Sequence, residues 1–351
     1  MGLGSSVTLN VNYDRATNLY YAGEKVTGWA AVNNSSKTLK FKSICLQFIG
    51  EIDYRQSDFY EYYDGVSQPF HGYHVVRNRK SFINIRCPIV HPTENEDLIK
   101  LHHGQHSWPF EFRLPQLLPP SSSPTNVSHP CIRYYTRILV NKSWRQRDLM
   151  QMYPLIIFPN VNIFPHEIRR QPLPQSCAHR ESLHMNVSLQ HRAILTSQPL
   201  SLHIDLDNPE RLRINKFLLK FIQHRVIYTD HHKESLLEKD LLGLLDFSQT
   251  HLNQTFHLQL PFAHLSPTFN CKIKRWASLI STSVYYEIKL EAKIDGILDN
   301  IDISMPIIIG TESSAEQDDQ SADIPISYSD AMTELELPPD YQSAMRKLAL
   351  E

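Results

Sequence analysis

Three histidines within five residues, His102-His103-Gly104-Gln105-His106, form the densest group of potential metal ligands in the chain, and His231-His232 is a second. Imidazoles so crowded could ligate zinc, but structural zinc takes four ligands and no fourth follows at matched spacing. The first cluster therefore reads as an exposed polar turn before Trp108-Pro109-Phe110, and neither metal nor cofactor is expected. Cys45, Cys87, Cys131, Cys177 and Cys271 form no Cys-x-x-Cys pair and read as reduced, mostly buried thiols. Arg77, Arg79, Lys80 and Arg86 form a basic run. Guanidinium forks match phosphate oxygens, so these four are the candidate phosphate- or cargo-binding residues, against the alternative of a solvated strand face. Asp53, Asp58, Glu61 and Asp64 alternate with Tyr54, Phe59, Tyr60, Tyr62 and Tyr63, which suggests an exposed hairpin tip with enough aromatic surface to touch a partner or lipid. There is no Gly-x-Ser-x-Gly and no phosphate-cradling glycine loop among only 11 glycines, so no catalytic residue is assigned and the chain is not expected to be an enzyme.

The most specific chemistry is recognition. In Leu337-Pro338-Pro339-Asp340-Tyr341 two adjacent prolines hold the backbone in polyproline II before binding, so little entropy is lost on docking, and Tyr341 offers its ring as an anchor. A degraded copy, Pro325-Ile326-Ser327-Tyr328, lies 13 residues earlier with Ile326 in place of the second proline, an auxiliary or vestigial site. Both sit in a segment, residues 311–351, that holds ten acids against two bases. Its net charge is −8, which leaves +6 on residues 1–310 of a chain whose total is −2. Such an acidic stretch buries too little apolar surface to offset its ordering entropy and is expected to be a disordered tail. The balanced total argues against a nucleic-acid partner.

The elements that must position these residues read as strands. Val7-Thr8-Leu9-Asn10-Val11, Ile44-Cys45-Leu46-Gln47-Phe48-Ile49, Leu183 to Leu189, Leu200 to Leu206 and Tyr286-Glu287-Ile288-Lys289-Leu290 all alternate apolar and polar. One face in and one face out is the pattern of an antiparallel sandwich. Lys233 to Leu245, rich in Leu, Glu and Lys, is the one stretch with helical character, with a loop and strand as the alternative. A weak repeat relates the halves: Phe112-Arg113-Leu114-Pro115, Pro119 and Tyr134-Tyr135 correspond to Leu258-Gln259-Leu260-Pro261, Pro267 and Tyr285-Tyr286. The expected division is a first sandwich over 1–168, a linker over 169–176, a second sandwich over 177–310 and the tail over 311–351.

No apolar run approaches the ~20 residues a membrane helix needs, and Met1 to Val7 lacks a secretory pattern, so a cytosolic chain is expected. Asn-x-Ser/Thr matches such as Asn126-Val127-Ser128 are then accidental. Gly2 with Ser6 meets the bare myristoylation pattern without the polybasic stretch that would give a second membrane signal.

Taken in order, Tyr20-Tyr21-Ala22-Gly23-Glu24-Lys25-Val26-Thr27-Gly28, Ile44 to Glu51, Pro109-Phe110-Glu111-Phe112-Arg113-Leu114-Pro115, Ile132-Arg133-Tyr134-Tyr135, Tyr285-Tyr286-Glu287-Ile288 and Met305 to Thr311 resemble the alpha-arrestin, or arrestin-domain-containing, family over nearly the whole chain. The tail motif resembles a WW-domain ligand, the family's usual ending. The resemblance implies an all-β fold of two arrestin-type sandwiches with Greek-key-like connections and a disordered acidic tail. It also implies a trafficking adaptor in the cytoplasm, recruited to plasma membrane and endosomes. The body would bind cytoplasmic regions of membrane receptors or transporters, with peripheral membrane contact but no transmembrane segment. Pro338, Pro339 and Tyr341 would recruit a WW-domain HECT-type ubiquitin ligase, and cargo ubiquitination would direct endocytosis. Members commonly carry two intact motifs, so a single copy implies weaker ligase binding. The alternative is a retromer-type sorting-coat subunit, which has the same double-sandwich form and needs no such tail.

Overall fold

The structure, a computed structural model, describes residues 7–62, 70–92, 98–122, 129–142, 147–163, 175–179, 183–241, 244–260, 265–275, 278–295 and 300–311, with backbone alone for 59–62, 70–73, 175–179, 274–275 and 278. Alternation builds the first sheet. In β1 (Val7–Tyr13) the residues Val7, Leu9 and Val11 are buried while Thr8, Asn10 and Asn12 are exposed. β1 pairs with β3 (Lys25–Phe41), and β3 with β6 (Ile99–Arg113), all antiparallel. The register needs a glycine at 28, where a Cβ would lie 2.3 Å from the Asn12 carbonyl oxygen and 2.9 Å from Phe110 Cζ. The facing sheet runs β2 (Leu19–Tyr21), β8 (Leu149–Phe158), β7 (Cys131–Asn141), β4 (Ser43–Tyr62), β5 (Phe70–Val90). Only its β2–β8 pair is parallel. Between the two layers Phe41, Ile44, Leu46, Phe48, Ile52 and Tyr134 are each at most 2% exposed. Each such burial contributes roughly 1.5–3 kcal/mol before entropy is counted.

The second half repeats the scheme. One sheet runs β15 (His251–Leu258), β12 (Leu200–Asp207), β10 (Leu183–Leu189), β9 (Gln175–His179). The other runs β11 (Ala193–Leu195), β18 (Ile301–Gly310), β17 (Ser278–Ile294), β13 (Ile214–Ile227), β14 (Asp230–Asp240), with β16 (Phe269–Arg275) on the first half of β17. Leu202, Ile204, Phe217, Phe221, Ile288 and Met305 fill the space between them, all fully buried. The fold is thus two β-sandwiches, and no helix occurs among the described residues.

The helical reading of Lys233 to Leu245 is corrected. β14 pairs with β13 from Ile227↔Asp230 to Leu218↔Asp240, with a register shift at Phe221/Ile222. Leu, Glu and Lys favour helices only weakly, and a full ladder to a buried strand outweighs that preference. The weak repeat, by contrast, has a physical basis. Phe48 stacks on Tyr134 at 5.6 Å, and Phe221 stacks on Tyr286 at 5.3 Å. Tyr134 donates to the Pro119 carbonyl at 2.7 Å, and Tyr286 donates to the Ser266 carbonyl, so in each sandwich a buried tyrosine pins the proline-bearing loop.

Those two loops also meet, since Ser266 Oγ donates to the Ser121 carbonyl at 2.8 Å. Nearby, the Arg55 N–H donates to Asp230 Oδ2 at 2.6 Å, and Tyr54 lies 6.2 Å from Tyr228 between ring centroids. Ile227, Ile273 and Ile280 of the second half pack into the apolar cluster of the first. The sandwiches therefore share a contact that is part apolar and part hydrogen-bonded.

Candidate functional site

Period two decides which of the basic run act together. On the outer face of the β4–β5–β7 sheet, register pairs Gln47 with Arg86 and Arg137, Asp53 with Arg79, and Glu51 with Arg133. Arg77, two residues from Arg79, points the same way, whereas Lys80 is the partner of the buried Ile52 and belongs to the opposite face. The structure thus puts Arg77, Arg79 and Arg86 on one face of the sheet, sets Lys80 on the other, and adds Arg133 and Arg137 to the first. Sequence reasoning missed the last two because they lie on a strand about 50 residues away, although Arg133-x-x-x-Arg137 has the spacing of one strand face.

These arginines are not equivalent. Arg77 grips Asp53 bidentately, Nε to Oδ1 at 2.8 Å and Nη2 to Oδ2 at 2.5 Å. Arg79 holds Glu51 Oε2 at 3.0 and 2.7 Å. Arg137 donates from Nε and Nη2 to Gln47 Oε1 at 2.8 and 2.5 Å. Burial pushes the Asp53 carboxyl up, but the Arg77 hydrogen bonds, with His129 and Arg133, hold it below the usual carboxylate range. Asp53 and Tyr54 are buried, so the expected exposed tip does not begin there; β4 and β5 stay paired from Ile44↔Val90 to Tyr62↔Phe70. Arg86 and Arg133 make no ion pair among the described residues. With the exposed Arg55, register partner of Arg77, they are the guanidinium groups of this face without an ion pair or a hydrogen bond among the described residues.

Neither histidine group gathers a metal. His102, His103 and His106 lie within β6 and not in a turn; Gly104 at φ +128° marks the irregular register opposite Asn34 to Thr38. His102 and His103 are exposed, and His106 stacks on Trp108 at 6.2 Å. His231 and His232, as strand neighbours, point to opposite faces, His231 Nε2 to His224 Nδ1 at 2.9 Å and His232 Nε2 toward Glu234 Oε2 at 3.7 Å. The single His/Cys/Asp/Glu group with metal-like spacing among the described residues is Asp53, His129 and Cys131, with ligand atoms all within 4.8 Å of one another. Pro325, Tyr328, Pro338, Pro339 and Tyr341 lie outside the described residues, as does Gly2.

Residues 9–162 match the family model described as arrestin (or S-antigen), N-terminal domain, and residues 179–314 the arrestin (or S-antigen), C-terminal domain. Among curated proteins the chain is similar to beta-arrestin-2 of Rattus norvegicus, 25% identical over 143 residues, which are 38% of this chain and 35% of that protein. Beta-arrestin-2 of Homo sapiens is 24% identical over 154 residues, 41% of this chain and 38% of that protein. The alignments thus span little more than a third of the length of these relatives. No helix among the described residues is long and apolar enough to cross a membrane.

Proposed function

The chain belongs to the arrestin family, and from that premise we propose that it is an alpha-arrestin-type trafficking adaptor. Its two sandwiches bind cytoplasmic regions of membrane receptors or transporters, and its tail recruits a WW-domain HECT-type ubiquitin ligase. Cargo ubiquitination then directs endocytosis and sorting, with the adaptor moving from cytoplasm to plasma membrane and endosomes. The observation that carries this reading is the order of parts: two arrestin domains, β18 ending at Gly310, then an acidic segment bearing Pro338-Pro339-Asp340-Tyr341. The open pair Arg86 and Arg133 supports an acidic or phosphorylated cargo segment, because guanidinium groups bind phosphate and carboxylate oxygens as charge-assisted donors.

Tyr341 is the anchor in this reading. Tyr341→Ala is expected to weaken binding to an isolated WW domain by about 30-fold or more, the cost of truncating an interface anchor worth about 2 kcal/mol. Phosphorylation of Tyr341 weakens it too, by placing a dianion in an apolar groove. Undiminished binding of Tyr341→Ala, measured by fluorescence anisotropy on every WW domain that binds the parent, overturns the ligase assignment. Recovery of a stoichiometric coat complex that survives removal of residues 311–351 replaces it with a sorting-coat subunit.

A further inference from the structure

We propose that Asp53, His129 and Cys131 form a binding site for one thiophilic divalent metal ion, zinc by the chemistry of its donors, on the first sandwich where it faces β13 of the second. Asp53 on β4 and Cys131 on β7 are direct cross-strand partners, so their side chains leave the sheet on the same side. His129 precedes Cys131 by two residues and brings its ring to the same place, with Nδ1 3.3 Å from Asp53 Oδ1. All three donor atoms fall within 4.8 Å of one another. Zinc bonds of roughly 2.0–2.3 Å require donor separations of about 3.3–3.8 Å, so closing on an ion asks for rotamer adjustments of about 1 Å.

A second observation points the same way. The His129 side chain is 9% exposed, and its Nδ1 makes no hydrogen bond, since the contact with Asp53 lacks hydrogen-bond geometry. A buried imidazole nitrogen aimed at a carboxylate and a thiol, with its own bonding unmet, is the state a ligand would relieve. Cys131 is 1% exposed and in no disulfide. One thiolate, one imidazole and one carboxylate suit zinc and not the all-oxygen shells of magnesium or calcium. The carboxylate and thiolate together balance the ion's charge, and Arg77 orients Asp53 from outside as an outer-shell partner does. Three protein ligands leave a fourth position for water or an incoming group.

Binding expels the Cys131 proton to solvent as the metal–sulfur bond forms. Burial holds the thiol up, while Arg133 on β7, Arg225 on β13 and Arg77 on β5 favour the thiolate and Asp53 on β4 disfavours it.

The test is titration of the full chain, first stripped with a chelator, with Co²⁺ alone and then Zn²⁺ alone. One equivalent of Co²⁺ is expected to give a sulfur-to-cobalt charge-transfer band that Zn²⁺ abolishes. Cys131→Ser should remove that band, and His129→Gln should weaken Co²⁺ binding at least tenfold. The His129→Gln variant keeps the question answerable if Cys131→Ser does not fold, as checked by its thermal transition. No band in the parent, a band that survives Cys131→Ser, or unchanged affinity in His129→Gln each overturns the site; metal held by the exposed histidines of β6 gives no sulfur band and also overturns it.

Discussion

His224 shows how much one buried side chain can make of pH. It is 6% exposed, stacks on Tyr285 at 4.5 Å, places Nδ1 2.9 Å from His231 Nε2 and Nε2 3.2 Å from Glu287 Oε1. A neutral imidazole carries one N–H, so the two rings share a single proton between them, and charging both would set two cations in contact. Burial lowers the His224 pKa below 6.5; the nearby Glu287 opposes this, and Lys233 and His231 reinforce it. The unfolded chain then takes up a proton near pH 6.5 while the folded chain does not, so stability is level above that pH and lost below it. Glu287 is raised by burial but held low overall by Lys233 and His224, so its contribution is lost only below about pH 4.5. Thermal unfolding should therefore weaken between pH 7 and 5.5 by at most about 1.4 kcal/mol per pH unit at this site. His224→Gln should flatten that decline, leaving the share of His232, whose pKa burial and Arg225 also lower. A slope identical to the parent's would show that His224 is not the group responsible. Little of this was legible beforehand, nor was the meeting of Asp53 with Cys131, because register alone brings together residues remote in sequence. Read in the sequence, Asp53 is one more acid of an exposed hairpin.

Elements were more legible than residues, and the reason is period two. β1, β10 and β12 bury every second residue as their alternation implies. β14 was harder because its face is only half-buried and Leu236 is an extra residue where the register shifts between Ser235 and Leu237, so alternation breaks where it would have identified a strand. The paired tyrosines were visible as a repeat, but their work was not: Tyr286 receives Gln223 Nε2 at 2.6 Å and donates to the Ser266 carbonyl, and Ser266 in turn reaches Ser121 of the first sandwich. Tyr286→Phe keeps the stacked ring on Phe221 and strands both buried partners. It should cost about 2 kcal/mol or more, given roughly 1–3 kcal/mol for each buried group left without a hydrogen bond. Urea unfolding reads this as a lower midpoint at unchanged m. A loss below about 0.5 kcal/mol would mean that water replaces the hydroxyl and that the two sandwiches are not coupled through this loop.

At the scale of the whole molecule the two sandwiches and the segment that follows them carry opposite charge, +6 on residues 1–310 and −8 on 311–351. An acidic segment joined to the end of β18 raises the local concentration of carboxylates around the body whether or not it docks anywhere. It therefore competes with any anionic ligand for the open guanidinium groups of Arg86 and Arg133. Removing residues 311–351 shifts the net charge from −2 to +6 and should raise affinity for a doubly phosphorylated peptide by about 5- to 10-fold at low ionic strength. At about 0.5 M salt, where screening acts within roughly 4–5 Å, the difference should vanish. Arg86→Glu with Arg133→Glu in the truncated chain should cancel the gain, whereas Arg77→Glu would confuse binding with stability by leaving Asp53 buried without its partner. Isothermal titration at two salt concentrations separates these outcomes. If truncation leaves peptide affinity unchanged at low salt, the tail does not screen the arginine face and cargo and ligase engagement are independent. If the gain survives Arg86→Glu with Arg133→Glu, the anionic ligand binds elsewhere on the body.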